Sequence, residues 1–280
     1  MSGFSPDWLR LREPIDHRSR NQALLAKVAA RFADREDILV VDLGAGAGSN
    51  LRAMAPMLPA RQQWILIDHD PALLAAAIDA VAQWADSSHA VATGLEVSKA
   101  GKSLLIELRR ADLATEPAAW GLASPDLVTA AALFDLVSED WIERFVAALA
   151  RDKLALYSAL NHDRVAEWEP PHPADRDMRA AFERHFGRDK GFGPSAGSRA
   201  STLIAGRLAA AGYTIERGRS DWRLGAADKK MLEMLADGWA EAVAETGEVT
   251  SKTVANWLAA RKTDGAVCAV GHEDLFASAR

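Results

Sequence analysis

Three glycines at alternate positions, Gly44, Gly46 and Gly48, stand in the stretch Val41-Asp-Leu-Gly-Ala-Gly-Ala-Gly-Ser-Asn50. The apolar, β-branched run Ile38-Leu39-Val40-Val41 before it reads as a buried parallel strand, and Leu51-Arg52-Ala53-Met54-Ala55 after it as the start of a helix. Glycine in such a turn lets a ligand approach the backbone without meeting a Cβ. The free N–H groups of the helix start suit a carboxylate or a phosphate. The spacing narrows the ligand. A dinucleotide fingerprint is G-x-G-x-x-G/A, whereas its last position here is Ser49, and an acidic residue, Asp42, precedes the first glycine by two places.

About 20 residues further on, Trp64-Ile-Leu-Ile-Asp68-His-Asp70-Pro71 is a second strand ending in carboxylates. A carboxylate at that tip can accept two hydrogen bonds from ribose hydroxyls. Either aspartate can instead cap the following helix, with Pro71 at its first position. The reading adopted is that Asp70 caps and Asp68 takes the ribose. A third strand, Ser103 to Arg109, leads to Ala111-Asp112-Leu113, and a fourth, Asp126 to Leu133, runs into Phe134-Asp135-Leu136.

Taken in order and at these distances, the four segments resemble motifs I to IV of the class I S-adenosylmethionine-dependent methyltransferases. The resemblance implies S-adenosyl-L-methionine as cofactor. Asp42, Gly44, Gly46 and Gly48 would line its methionine end and Asp68 its ribose. Asp112 would meet the adenine amino group, Leu113 would pack on the ring, and Leu133-Phe134-Asp135 would border the methyl group. It also implies an α/β fold, a doubly wound mixed sheet of seven strands in the order 3-2-1-4-5-7-6.

The elements around the motifs are read from periodicity. Within residues 1–18, Trp8, Leu9 and Leu11 are expected to dock on the body, and residues 19–33 to form a helix with Leu24, Leu25, Val28 and Phe32 inward. Together residues 1–36 make an N-terminal cap. Its Arg18 and Arg20 could reach an anionic group at the cofactor site or lie in a solvated basic turn. Residues 38–161 alternate strand and helix, with an extra strand or edge hairpin near residues 89–97 and a fifth strand at residues 153–160. Residues 162–200 then break the alternation and are expected to form a substrate cap, since such an insertion lies at the carboxyl ends of the strands. A sixth strand at 213–217 is separated from a final strand at 265–272 by two amphipathic helices within residues 225–263. These helices pack back on the single domain of 1–280 or present a homodimer face.

Composition bounds the function. The net charge of the 280-residue chain is −6 and no Lys/Arg-dense block appears, which weighs against a nucleic-acid partner. The one cysteine, Cys268, is expected as a buried reduced thiol, with neither a disulfide framework nor a metal site in view. No stretch approaches a membrane span and the N-terminus lacks a signal-peptide pattern, so a cytoplasmic protein without a membrane partner is the default expectation.

Candidates for a base that removes a proton from the acceptor are Asp135, His162 and His172. Asp135 could equally cap a helix, and the histidines could be polar loop residues. The segment after the fourth strand, Ala-Leu-Phe-Asp, lacks the Asn/Asp-Pro-Pro-Tyr/Phe signature of amino-methylating DNA, RNA and protein-glutamine enzymes, and no cysteine is placed as a nucleophile. The favoured reading is methyl transfer to an O, N or C nucleophile of a small molecule. Arg176, Arg188 and Lys190 hint at an anionic acceptor. A non-catalytic S-adenosylmethionine-binding protein, a macromolecule methyltransferase and a nicotinamide-dependent oxidoreductase are the competing readings, the last disfavoured by Ser49 and Asp42.

Overall fold

The computed structural model describes residues 5–121 and 123–279. In chain order the elements are α1 (Pro6–Ser19), α2 (Gln22–Arg31), β1 (Asp37–Leu43), α3 (Ser49–Met54), β2 (Arg61–Asp68), α4 (Pro71–Trp84), β3 (Ser87–Val91), β4 (Gly94–Lys99), β5 (Lys102–Arg110), β6 (Leu127–Ala131), α5 (Glu139–Asp152), β7 (Ala155–Glu169), α6 (Asp175–Phe186), α7 (Ala200–Ala210), β8 (Tyr213–Arg219), β9 (Trp222–Leu224), α8 (Lys229–Thr246), α9 (Ser251–Arg261) and β10 (Val267–Ala279). Strands β5-β2-β1-β6-β7-β10-β8 run in the order expected from the motifs. The count of seven is corrected: the β3–β4 hairpin extends the edge beside β5, and β9 pairs with β10, giving ten strands in one sheet among the described residues. Residues 92–93 turn this hairpin tightly, and Gly94 admits no side chain there, since a Cβ would lie 2.0 Å from the Ile106 carbonyl oxygen.

Helices cover both faces. Leu24, Leu25 and Val28 of α2, Leu51 and Met54 of α3, and Leu74, Ala77 and Val81 of α4 bury against one side of β1 and β2. On the other side α5 and α7 pack through Trp141, Phe145, Leu149, Ile204 and Leu208. Strand β1 is buried on both faces, as an apolar run flanked by helix layers must be. Cys268 lies buried in β10, where desolvation pushes its thiol pKa up. No helix of the described residues is long and apolar enough to cross a membrane.

Three boundaries differ from the sequence reading. The helix expected at 19–33 is α2, confined to residues 22–31, and residues 6–19 ahead of it form a separate helix. The break falls at Arg20, where the chain is extended, and Asn21 restarts the helix by accepting the Leu24 N–H at 2.9 Å. The fifth strand does not stop at 160. It continues to Glu169, so residues 162–169, expected to open a cap, are strand paired with β10. The strand β10 likewise runs on to Ala279 and pairs there with β8.

The extension of β7 and β10 carries a second, smaller core. Here α6, α8 and α9 pack through rings: Phe182 stacks on Trp239 at 4.1 Å, and Trp168 meets Trp257 edge-on at 5.5 Å. Arg261 is 1% exposed and lies over both Trp168 and Trp257. Its guanidinium pairs with Asp175 and donates to the Pro170 carbonyl at 2.6 Å. The helices of 225–263 therefore pack back on the domain. Removing one member of such a buried pair leaves the other uncompensated, at about 3–5 kcal/mol. Arg261→Ala is expected to lower the urea-unfolding free energy by about 3 kcal/mol, Asp175 retaining some solvent contact. A loss below about 1 kcal/mol would show the pair to be worth no more than a surface one.

Candidate functional site

The glycine turn sits where β1 ends and α3 begins. Gly44, Gly46 and Gly48 all have positive φ, at 63°, 52° and 76°. A Cβ on Gly44 would press on Leu133, 3.3 Å away, which places the turn after β6 directly beside the turn after β1. The tip of β2 holds the loop in shape: Asp68 accepts the Gly46 N–H at 2.9 Å with one oxygen and the Asp70 N–H at 3.0 Å with the other. Asp70 caps α4 through the Ala72 N–H at 2.8 Å, as the sequence indicated.

Helix α1 lies across this turn. Leu9 approaches Gly46, Glu13 pairs with Arg52 of α3, and the His17 Nε2 sits 3.0 Å from the Ser49 carbonyl oxygen. The expected docking of the N-terminal segment is thus directed at the glycines themselves.

Beneath α1 lies a group of buried polar atoms without partners among the described residues. Asp42 is 0% exposed; one carboxylate oxygen accepts from Asn50 Nδ2 at 2.7 Å and the other, Oδ2, is unpartnered. Asn50 also donates to Thr129 Oγ1 at 3.1 Å, and its own Oδ1 is unpartnered. Arg20, 3% exposed, has both Nε and Nη1 unpartnered. Burial pushes the Asp42 pKa up to about 7, against the Asn50 hydrogen bond and the Arg20 charge, with the Asp68 charge adding to the rise. Arg20 is held by the loop between α1 and α2, whose Asn21 N–H donates to Asp274 at 2.9 Å; Tyr157 donates to the same carboxylate at 2.9 Å. Of the two arginines named from sequence, Arg18 instead pairs with Asp228 at 2.7 Å.

The remaining sequence candidates divide. Asp112 is exposed and accepts the Ala114 N–H at 3.0 Å, while the Leu113 side chain is buried in the core on the α5 side. Asp135 is 7% exposed, with Oδ1 unpartnered. Burial raises its pKa, and the nearby His162 and Arg12 charges pull it back down. His162 is on β7, opposite His272 on β10, their ring centroids 5.8 Å apart. His172 is not brought to this group. It sits ahead of α6, donating its N–H to Asp175 at 2.7 Å and accepting from Ala174 at Nδ1, whereas Phe186 at the far end of α6 is the residue that meets His162. A helix of that length separates the two ends by roughly 16 Å, so His172 serves the start of α6. Arg188 lies near Glu245 of α8, and Arg176 is exposed. His69 is exposed beside Asp68.

His272, Trp222, Tyr157 and Asp274 had no sequence signal. Each lies in a strand and reads locally as an ordinary core or edge residue; only the antiparallel return of β10 brings His272 and Asp274 beside β7. Two strained residues mark the same place. Ala132 after β6 and Leu160 in β7 have φ of 52° and 57°, conformations that non-glycine residues adopt rarely and that concentrate at functional sites.

No family model matches the chain, and no curated protein matches it. Solved structures do. A cyclopropane-fatty-acyl-phospholipid synthase-like protein from Lactobacillus casei is 12% identical, with 98% of this chain and 94% of that chain covered at a TM-score of 0.53. The cyclopropane synthase MmaA2 from Mycobacterium tuberculosis is 12% identical over 98% and 95% of the two chains, TM-score 0.49. A methyltransferase from Thiobacillus denitrificans, solved with S-adenosyl-L-homocysteine, is 15% identical over 99% of both, TM-score 0.44. At 12% identity the likeness to the Lactobacillus casei structure is one of fold alone, and the fold of this chain is the Rossmann-like, doubly wound α/β sheet that its own strand order shows.

The buried Asp42 makes stability depend on pH with a definite sign. Its folded pKa stands above the unfolded value, so the folded state holds the proton more tightly. Its contribution is most favourable below about pH 4, is lost as pH rises towards about 7, and is level above that. Urea denaturation of Asp42→Asn across this range is expected to lack that decline, the wild type losing more stability than the variant between the two ends. Parallel curves would place the titration elsewhere.

Proposed function

We propose that the chain transfers the methyl group of S-adenosyl-L-methionine to a small-molecule acceptor. The observation that carries this reading is the set of unpartnered buried atoms beside the glycine turn. Leaving a buried polar atom unpaired costs about 1–3 kcal/mol, and more for a charged group, so four of them together argue for a ligand that pairs them. They are of two kinds: a guanidinium with free N–H groups at Arg20, and free acceptor oxygens on Asp42 and Asn50. An α-amino acid zwitterion complements both, its carboxylate to Arg20 and its ammonium to Asp42 and Asn50. The cofactor ends in such a group, and its sulfonium supplies the methyl when bound.

The other residues fall into place around that end. Asp68, already orienting the Gly46 N–H, retains acceptor capacity for ribose hydroxyls. Leu133, beside Gly44, and Asp135, two residues further on, would border the methyl group. A transfer of this kind needs chiefly that donor and acceptor be held close and in line, worth on the order of 7 kcal/mol or more. The cover formed by α1 and the rings beside Asp135 support a small acceptor over a macromolecule. A net charge of −6 points the same way.

Calorimetry tests the reading. Micromolar binding of S-adenosylmethionine and S-adenosylhomocysteine is expected, with none for NAD, and Asp68→Ala should weaken it about tenfold or more. Arg20→Met should weaken S-adenosylhomocysteine by about tenfold or more yet leave 5′-methylthioadenosine, which lacks the amino-acid end, unchanged. Failure of the folded wild type to bind either sulfur nucleotide refutes the proposal.

A further inference from the structure

Beside Asp135 a row of rings runs across the extended strands. Trp222 of β9 meets His272 of β10 at 5.2 Å, His272 meets His162 of β7 at 5.8 Å, and His162 meets Phe186 of α6 at 5.4 Å. Arg12 of α1 lies 5.0 Å over the Trp222 ring. The row lies next to Asp135, whose charge state responds to both His162 and Arg12.

Two buried atoms here lack partners among the described residues, Asp135 Oδ1 and His272 Nδ1, on side chains 7% and 6% exposed. They are distinct from the group at Arg20 and belong to different elements, and a ligand seated against the row would supply the partners they lack. The charge balance limits what that ligand is. Arg12 is neutralised by Asp16 at 2.8 Å, which also accepts from Trp222 Nε1 at 2.9 Å. Arg219, the other cation acting on His272, is held by Asp163 and Asp221. Burial favours protonated Asp135 and neutral His272. Among the described residues the arginines that act on Asp135 and His272 are thus already paired, and burying an uncompensated charge is far costlier than burying a hydroxyl that finds a hydrogen bond.

Resting on the methyl-transfer reading, we infer that this row is the acceptor site, that it takes a flat, uncharged molecule bearing a phenol-type hydroxyl, and that His162 removes the hydroxyl proton. The acceptor ring lies along the aromatic wall, and its hydroxyl is held by Asp135 and His272. As the oxygen bonds to the methyl carbon, the carbon–sulfur bond breaks and its electron pair stays on sulfur. The hydroxyl proton passes to an imidazole nitrogen of His162. That ring is only partly buried, so it can return the proton to water. The acceptor class differs from the anionic one hinted at by Arg176, Arg188 and Lys190.

The test uses 4-nitrophenol, whose anion is coloured, and the protein saturated with S-adenosylhomocysteine. In a near-neutral buffer, with the colour of the same phenol free in solution subtracted, the wild type is expected to bind it and to develop an additional phenolate band saturably. His162→Gln should still bind it without the band. His272→Phe, which keeps a ring but no nitrogen, should weaken binding about tenfold. The carboxylate 4-nitrobenzoate should bind at least about tenfold more weakly than the phenol. The inference is overturned if 4-nitrophenol does not bind, if the band survives in His162→Gln, if His272→Phe binds as well as wild type, or if 4-nitrobenzoate binds as tightly. S-adenosylhomocysteine titrations of the same samples separate the two readings: intact cofactor binding with any of these outcomes removes the acceptor assignment alone, whereas its loss in the folded wild type removes both.

Discussion

A single buried carboxylate ties the functional region together. Asp274 is 0% exposed and accepts three hydrogen bonds: the Asn21 N–H at 2.9 Å, the Tyr157 hydroxyl at 2.9 Å and the Leu160 N–H at 2.8 Å. A carboxylate so placed persists only when its lone pairs are used. Its three donors come from the α1–α2 junction, from the body of β7 and from the bend in β7. The Leu160 backbone sits in the left-handed region at a cost of about 1–3 kcal/mol, and a hydrogen bond to a charged group returns about 1.5–3 kcal/mol. The strained bend is therefore sustained by the bond it makes.

That bend decides which side chains meet across β7 and β10. Pairing between β7 and β10 slips after Ser158 and again before Ala166, so that extra β7 residues bulge opposite β10. Without the bulge the alternation of a strand would carry the His162 side chain to the other face. With it, His162 stands beside His272. Asn21 held by the same carboxylate fixes Arg20 one residue earlier, so the guanidinium beside Asp42 and the histidines beside Asp135 are positioned from one anchor.

Support from the second core is less direct but physical. The stacked rings of Trp239, Trp257 and Phe182, with Trp168 edge-on to them, bury the outer halves of β7 and β10 and fix α6. Phe186, at the end of α6, then closes the row of rings against His162. The helices of residues 225–263 contribute by holding this wall, since α8 supplies Trp239 and α9 supplies Trp257 and Arg261.

The sequence by itself determined the parallel half of the sheet, because apolar runs, glycine turns and strand-tip aspartates are local signals fixed by backbone sterics and burial. Asp42, the three glycines, Asp68 and Asp70 were legible for that reason, as were the two amphipathic helices of 225–263. The tertiary structure decided the antiparallel half. No local pattern in 161–170 shows that β7 runs on, because its stability comes from pairing with β10 about 100 residues later. The same long-range pairing makes neighbours of His162 and His272, drives Asp274 under Arg20, and leaves His172 at the start of a helix instead. Spacing along the chain names residue types that can do chemistry; only the register of distant strands chooses which of them meet.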